Sequence, residues 1–171
     1  MRSSANPPRP LERKILSRRQ LIRLARRLKR QGRRVILTNG CFDLLHVGHV
    51  TLLSRAKQLG EVLVVALNSD RSIRALKGPS RPIVPQRDRA RVVAALASVD
   101  YVTIFGERTP LRLIAALKPD VLVKGADWKA RVVGQELVER AGGRVVLLPL
   151  VTGRSTTRTV ARLSAAVRAA G

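Results

Sequence analysis

Residues 35–49, VILTNGCFDLLHVGH, contain both histidines of this chain. The first four residues form a short apolar run, which is typical of a strand buried on both faces of a parallel sheet. Gly40 permits a tight turn and a close approach of a ligand to the backbone, and Gly48 keeps the next helical turn uncrowded. His46 and His49 are three residues apart, so on the first turn of a helix they face the same way. Because free N–H groups at a helix start attract phosphate, the stretch predicts an anion site.

The same alternation continues along the chain. Four further apolar runs predict strands at 62–67, 101–105, 121–123 and 145–148. Helical patterns lie near 49–59, 70–76, 87–97, 109–117 and 132–141, with a last helix from about Thr156 to Ala169. This order predicts one α/β domain of the Rossmann-like kind, an open parallel sheet of about five strands with helices on both faces. Ligands of such sheets bind at the carboxyl ends of the strands, which here are 39–49, 68–71, 106–109, 124–128 and 149–157.

The N-terminal part differs in charge from the rest. Residues 1–34 hold 13 Lys and Arg against one acid, a net charge of +12 out of +23 for the chain. Residues 1–16, which include three prolines, are expected to be a disordered basic tail. Residues 17–32 predict a basic amphipathic helix capped by Ser17. The catalytic domain is then expected to occupy 33–171.

Composition limits the functional classes. A basic arm can attract nucleic acid or an anionic membrane. A genome rich in arginine codons, together with a site for anionic substrates, explains the positive charge more simply. Aromatic residues make up only 2% of the chain, so platforms for stacking bases are nearly absent. One cysteine excludes an internal disulfide, and no apolar run approaches the roughly 18 to 20 residues of a membrane span. The expectation is a soluble cytoplasmic protein without a specific nucleic-acid partner.

Two other interpretations of the histidine stretch stay open. A metal site could use Cys41, Asp43, His46 and His49, although the spacing lacks the H-E-x-x-H or paired-cysteine pattern of zinc sites. The histidines could also be structural residues at a helix start. Cys41 by itself is better explained as a small buried residue than as a nucleophile.

Two motifs of the chain resemble one family. Residues 39–49 resemble the H-x-G-H signature of the cytidylyltransferase-like nucleotidyltransferases, and 154–157 resemble that family's second signature, a serine-threonine-threonine turn opening the last helix. The resemblance covers roughly 33–165. Three further stretches resemble the branch of the family that adenylylates D-glycero-β-D-manno-heptose 1-phosphate: 76–83, 94–102 and 119–128.

The resemblance implies transfer of AMP from ATP to that sugar phosphate, giving ADP-heptose, a lipopolysaccharide core precursor, and pyrophosphate. Mg²⁺ would assist, and no covalent intermediate or metal-binding residue is implied. The implied catalytic residues are His46, His49 and Lys77. The implied nucleotide-binding residues are Asn39, Gly40, Cys41, Phe42, Gly48, Arg89, Lys124, Gly125, Asp127, Ser155, Thr156 and Thr157. The implied substrate-binding residues are Asp43, Asn68 and Asp70.

Several roles have an alternative. Asp70 either caps the next helix or contacts the sugar, Lys77 could be an ordinary solvated lysine, and 155–157 could be a plain helix cap. The sequence also departs from glycerol-phosphate cytidylyltransferases, which carry an arginine shortly before the serine-threonine turn, where this chain has Leu150. That departure favours adenylyl over cytidylyl transfer.

Two functional alternatives and two assembly expectations remain. The first alternative is a cytidylyltransferase for a polyol or amino-alcohol phosphate, and the second is a basic nucleic-acid-binding protein that reuses the fold. In related bifunctional proteins a sugar kinase domain precedes this one, and this chain is too short to contain it, so we expect a stand-alone transferase that works after a separate kinase. The resemblance also implies a homodimer.

Overall fold

The computed structural model of the protein describes residues 10–126, 132–149, 151 and 156–169. Five strands form one sheet: β1 (Val35–Gly40), β2 (Val62–Asn68), β3 (Tyr101–Phe105), β4 (Val121–Gly125) and β5 (Arg144–Leu148). Eight helices accompany them: α1 (Leu11–Lys14), α2 (Arg18–Arg30), α3 (Val47–Lys57), α4 (Asp70–Lys77), α5 (Gln86–Ala94), α6 (Leu111–Leu117), α7 (Gln135–Arg140) and α8 (Thr156–Ala169). Each predicted strand and helix is present, which confirms the α/β prediction.

The sheet is entirely parallel and has the order β3-β2-β1-β4-β5. The chain leaves β1 toward β2 and β3, and returns to the other side of β1 for β4 and β5. The strand order therefore reverses between β1 and β4, where Thr38 pairs with Val123. Such a reversal opens a crevice beyond the carboxyl ends of the two strands, so the fold itself places the ligand site there.

Two apolar clusters cover the two faces of the sheet. On one face α2 and α6 pack on alternate strand residues such as Val35 and Leu37. On the other face α3 and α5 pack on Ile36, Leu63 and Val65. Because successive strand residues point to opposite faces, the continuous apolar runs of the sequence are explained by burial on both sides.

The predicted disordered tail is ordered over residues 10–16. Ile15 forms a parallel bridge to Val102 on the edge strand β3. In α1, Lys14 Nζ donates to the backbone carbonyl of Ala94 at the end of α5, at 2.9 Å. An edge strand and a helix end both present unpaired backbone groups, and this segment satisfies some of them, which explains its order. Residues 1–9 lie outside the described ranges.

Helix α2 matches the sequence prediction closely. Ser17 caps it and forms a capping box with Gln20. Leu21, Ala25 and Leu28 are buried against the sheet, and the basic residues occupy the outer face. No helix in the described ranges combines the length and the apolar character needed to cross a membrane.

Candidate active site

The histidine loop connects β1 to α3 at the centre of the sheet. His46 is the N-cap residue of α3, and its carbonyl accepts a hydrogen bond from the His49 amide at 2.9 Å. The two imidazole rings stack with their centroids 3.9 Å apart and their planes at 24°. Phe42 packs beside His49, with the two ring centroids 4.9 Å apart and the ring planes at 41°. The two histidines therefore face the same way, as their spacing predicts.

Burial controls the protonation of this pair. It lowers the pKa of His46, and it lowers the pKa of His49 to about 4, helped by the nearby charges of His46 and Lys77. Both rings are therefore neutral near pH 7 when no anion is bound. The sequence predicts that both histidines are protonated when they lie beside phosphates. A bound anion favours the protonated form of an imidazole and would therefore raise both pKa values.

Three polar atoms in the crevice are buried without a hydrogen-bond partner in the described structure. They are the Nδ1 atoms of His46 and His49 and the Oδ1 atom of Asn39. A buried polar atom left unpaired costs about 1–3 kcal/mol. Such a concentration at one point indicates that a polar ligand belongs there.

Lys77 approaches this pair from another element. It is the last residue of α4, and its charge acts on His49 although the two are far apart in sequence. Gly78 follows it with φ 91°, a left-handed conformation in which a side chain would be strained. The structure thus brings together the three residues predicted to be catalytic.

Asp43 has a different position from the predicted contact with substrate. Its buried carboxylate accepts hydrogen bonds from Arg81 Nε at 2.6 Å, Ile83 N at 2.9 Å and Val84 N at 3.0 Å. Burial alone would raise its pKa, but the bonds from Val84, Ile83 and Arg81 outweigh burial and lower it. Asp43 therefore anchors the segment between α4 and α5 to the histidine loop.

The position of Arg89 also differs from the predicted one. The sequence places it near the nucleotide phosphates, yet its side chain is 0% exposed. It donates to the carbonyls of Val84 at 2.9 Å, Cys41 at 2.5 Å and Asn68 at 2.9 Å. It joins the histidine loop, the end of β2 and the start of α5 beneath the site.

Asp70 does not cap α4, which was one of its two predicted roles. Ser69 caps α4, while Asp70 Oδ1 lies 2.7 Å from Arg89 Nη2. The Asp70 backbone N–H donates to Gln86 Oε1, and the Gln86 backbone N–H donates to Asp70 Oδ2. Asn68 points inward as well, and its amide donates to Ser72 Oγ at 3.0 Å. Both residues therefore hold together elements at the base of the site.

The crevice between β1 and β4 contains two of the residues predicted to bind nucleotide, Lys124 and Gly125. Lys124 is 5% exposed, and its Nζ lies 3.5 Å from the Asn39 carbonyl across the two strands. Gly125, the last residue of β4, is buried beside it. At Gly40 a Cβ atom would lie 3.1 Å from the Phe42 ring, so glycine makes room for that ring.

The two family motifs meet in space. Thr156, the first residue of α8, donates from its hydroxyl to the carbonyl of Leu44 in the histidine loop at 3.2 Å, across 112 residues of sequence. The N-termini of α8 and α3 are therefore neighbours, and each offers free N–H groups. Asp127 and Ser155 lie outside the described residues, and only the backbone of Thr157 is described.

Sequence reasoning missed four side chains that hold these parts together: Arg81, Ser69, Ser72 and Gln86. Ser69 had a usable signal, because a serine directly before a helical run is a preferred N-cap. The other three had none, since their partners lie in other elements. Across the part of the chain that the structure describes, no three His, Cys, Asp or Glu side chains are grouped to hold a metal ion.

Comparison with known proteins agrees with this geometry. A family model described as cytidylyltransferase-like matches residues 37–155. The chain therefore belongs to the cytidylyltransferase-like family of nucleotidyltransferases.

Curated relatives are similar over most of this chain. The bifunctional protein HldE of Koribacter versatilis is 56% identical over 148 residues, 86% of this chain and 30% of that protein. The bifunctional protein HldE of Magnetococcus marinus is 59% identical over 136 residues, 79% of this chain and 28% of that protein. The chain thus spans about 30% of the length of the curated relatives it matches.

Solved structures support the same fold. The lipopolysaccharide core biosynthesis protein from Thermoplasma volcanium superposes with a TM-score of 0.58 at 28% identity, over 70% of this chain and 98% of that one. Pantoate-beta-alanine ligase from Francisella tularensis, solved with a β,γ ATP compound and β-alanine, gives a TM-score of 0.57 at 16% identity, over 84% of this chain and 68% of that one. The second likeness concerns the fold alone.

Proposed function

We propose that this domain transfers AMP from ATP to D-glycero-β-D-manno-heptose 1-phosphate, releasing ADP-heptose and pyrophosphate. The observation that carries the proposal is the hydrogen bond of Thr156 to the histidine loop, since it joins both family motifs at one anion site. The relatives named bifunctional protein HldE and the Thermoplasma protein favour a heptose phosphate of lipopolysaccharide synthesis as acceptor.

The chemistry is a single in-line displacement. An oxygen of the sugar phosphate forms a bond to the α-phosphorus of ATP, the bond from that phosphorus to the bridging oxygen breaks, and the electron pair leaves with pyrophosphate. Such a transfer needs mainly positioning and charge neutralisation. His46, His49 and Lys77 supply donors and positive charge, and the N-termini of α3 and α8 supply backbone N–H groups.

The neutral histidines make the site responsive to its ligand. Phosphate charge raises the pKa of an adjacent imidazole, so ATP binding at pH 7 is accompanied by proton uptake at His46 and His49. A group that becomes cationic as the anion arrives stabilises the triphosphate and the charge that develops on the leaving group.

Mg²⁺ is assigned to the substrate rather than to the protein. Two of the described carboxylates, Asp43 in the histidine loop and Asp70 at the start of α4, are already paired with Arg81 and Arg89. They do not fit a resident magnesium site. We propose that ATP enters as its magnesium complex, with phosphate oxygens as the ligands.

A substrate panel tests the proposal. Purified protein is incubated with ATP or CTP and with heptose 1-phosphate, glycerol 3-phosphate or an amino-alcohol phosphate, and pyrophosphate release is measured. Release only with ATP and the heptose phosphate supports the proposal. A preference for CTP with a polyol or amino-alcohol phosphate would establish the cytidylyltransferase alternative instead.

The homodimer and the cytoplasmic location remain proposals. The α1–α2 segment already occupies part of the β3 edge through the pairing of Ile15 with Val102. A dimer would therefore use a surface other than that edge. Light scattering coupled to size exclusion measures the mass directly, and fractionation of the source cells tests the location.

A further inference from the structure

A groove outside the active site runs along the N-terminal helix. It has a volume of about 490 Å³ and lies between α2 and the segment that precedes it. Four arginines line it: Arg13 on one side and Arg23, Arg27 and Arg30 on α2. We refer to it as the arginine groove.

The arginines present a regular row of charge. Positions 23, 27 and 30 follow the i, i+4, i+7 spacing of one helical face, which extends about 10 Å along α2. All four arginines are exposed, and none has a carboxylate partner among the residues that the structure describes. Helix α2 contains no acidic residue in its first turn that could compensate them.

The groove also has an apolar part, which we call its floor. Leu16, Leu24 and Tyr101 line the groove there, and Gln20 adds a polar side chain to the lining. Leu16 and Leu24 are only partly buried, although both pack against the core cluster. The groove therefore offers two kinds of contact side by side, an apolar strip and a row of unpaired positive charges.

We propose that the arginine groove docks an acidic amphipathic segment of a partner protein. Carboxylates spaced by one and two helical turns would meet Arg23, Arg27 and Arg30, and a large apolar side chain would cover Leu16 and Leu24. Charge complementarity of this kind accelerates association and sets the register of the partner.

Other occupants match the groove less well. The phosphate backbone of a nucleic acid would pair with the arginines, but its hydrated groups would lie against the apolar floor. A membrane gains no apolar insertion, because Leu21, Ala25 and Leu28 of α2 are turned into the core. A second copy of this chain has no two acidic residues four apart in sequence, so it lacks the row of carboxylates that the arginines would meet.

Binding of a defined probe tests the proposal. The probe is a fluorescently labelled helical peptide with glutamates at i, i+4 and i+7 and leucines on the adjoining face, and anisotropy is measured at physiological salt. Reversal of two groove charges in Arg23→Glu/Arg27→Glu is expected to weaken binding about tenfold or more. The control Arg19→Glu/Arg26→Glu changes the net charge equally on exposed residues of α2 outside the groove, and is expected to weaken binding less than about twofold.

The test separates this site from the active site. Pyrophosphate release from small substrates should be the same in both double variants, and melting followed by circular dichroism verifies folding. If the glutamate variant fails to fold, Arg23→Gln/Arg27→Gln replaces it, with Arg19→Gln/Arg26→Gln as its control.

Four outcomes would overturn the proposal. They are no binding of the probe to the parent protein, equal losses in groove and control variants, undiminished binding of a probe whose leucines are replaced by serine, and tighter binding of duplex DNA or anionic vesicles through Arg23 and Arg27.

Discussion

The rim and the base of the active site differ in how their polar side chains are paired. The rim consists of His46, His49 and Lys77, and both histidines keep a buried Nδ1 atom without a partner. The base consists of Asp43, Arg81, Asp70 and Arg89, which form two buried or half-buried ion pairs with additional backbone hydrogen bonds. The difference shows two functions: both histidines keep a nitrogen without a partner, where a changing ligand can bind, whereas the side chains that hold them are engaged in ion pairs.

Removing Arg89, at the centre of the base of the site, should have the largest effect. Arg89→Met leaves Asp70 and three carbonyls without their donor in a buried place, so we expect the free energy of unfolding to fall by about 3–5 kcal/mol. Urea denaturation measures the loss. Arg87→Met, an exposed change on the same helix, is the control and should cost little. Equal stability of the two variants would show that the base is not held by Arg89.

His46, on the rim, should respond in activity and not in stability. His46→Ala removes a donor to phosphate, and we expect turnover to fall by about 10²- to 10³-fold with an unchanged melting temperature. Val47→Ala, at the exposed next residue, should keep turnover near that of the parent. Full activity of His46→Ala would refute the assignment of this residue to the rim.

A smaller loss is expected at the second ion pair of the base. Asp43→Asn keeps the size of the side chain but turns an amide toward donors from Arg81, Ile83 or Val84. The unfolding free energy should fall by about 1–3 kcal/mol, because a charge-assisted acceptor is lost. Asp88→Asn, exposed on α5, is the matched control in the same denaturation experiment.

The smallest expected effect is on the pH dependence of the free energy of unfolding. The pKa of His49 is lowered from 6.5 to about 4 in the folded protein, so the unfolded chain binds a proton first as the pH falls. Stability contributed by the neutral ring is therefore present above pH 6.5 and is lost between 6.5 and about 4. His49→Gln should make the stability curve shallower in this window. An unchanged slope would mean that His49 does not titrate as its burial requires.

The sequence predicted the parts of the site unequally. It predicts His46, His49 and Thr156 from local chemistry, because helix starts and phosphate sites are encoded by neighbouring residues, and their roles toward a ligand stay predictions. It assigns Asp43, Asp70 and Arg89 to ligands, whereas the structure pairs Asp43 with Arg81 and Asp70 with Arg89. A charged residue near a motif looks the same in sequence whether it faces a substrate or an ion-pair partner.

The sequence by itself determined the alternation of strands and helices, the cap of α2 and the two motifs, since all of these depend on periodicity and short-range hydrogen bonding. Tertiary structure alone decided which charges are paired, because Asp43 meets Arg81 and Asp70 meets Arg89 across separate elements. It also decided that residues 10–16 are ordered and that α2 borders a groove, since both depend on the exposed edge of β3. Local patterns select the elements, whereas burial and long-range pairing assign each polar side chain its role.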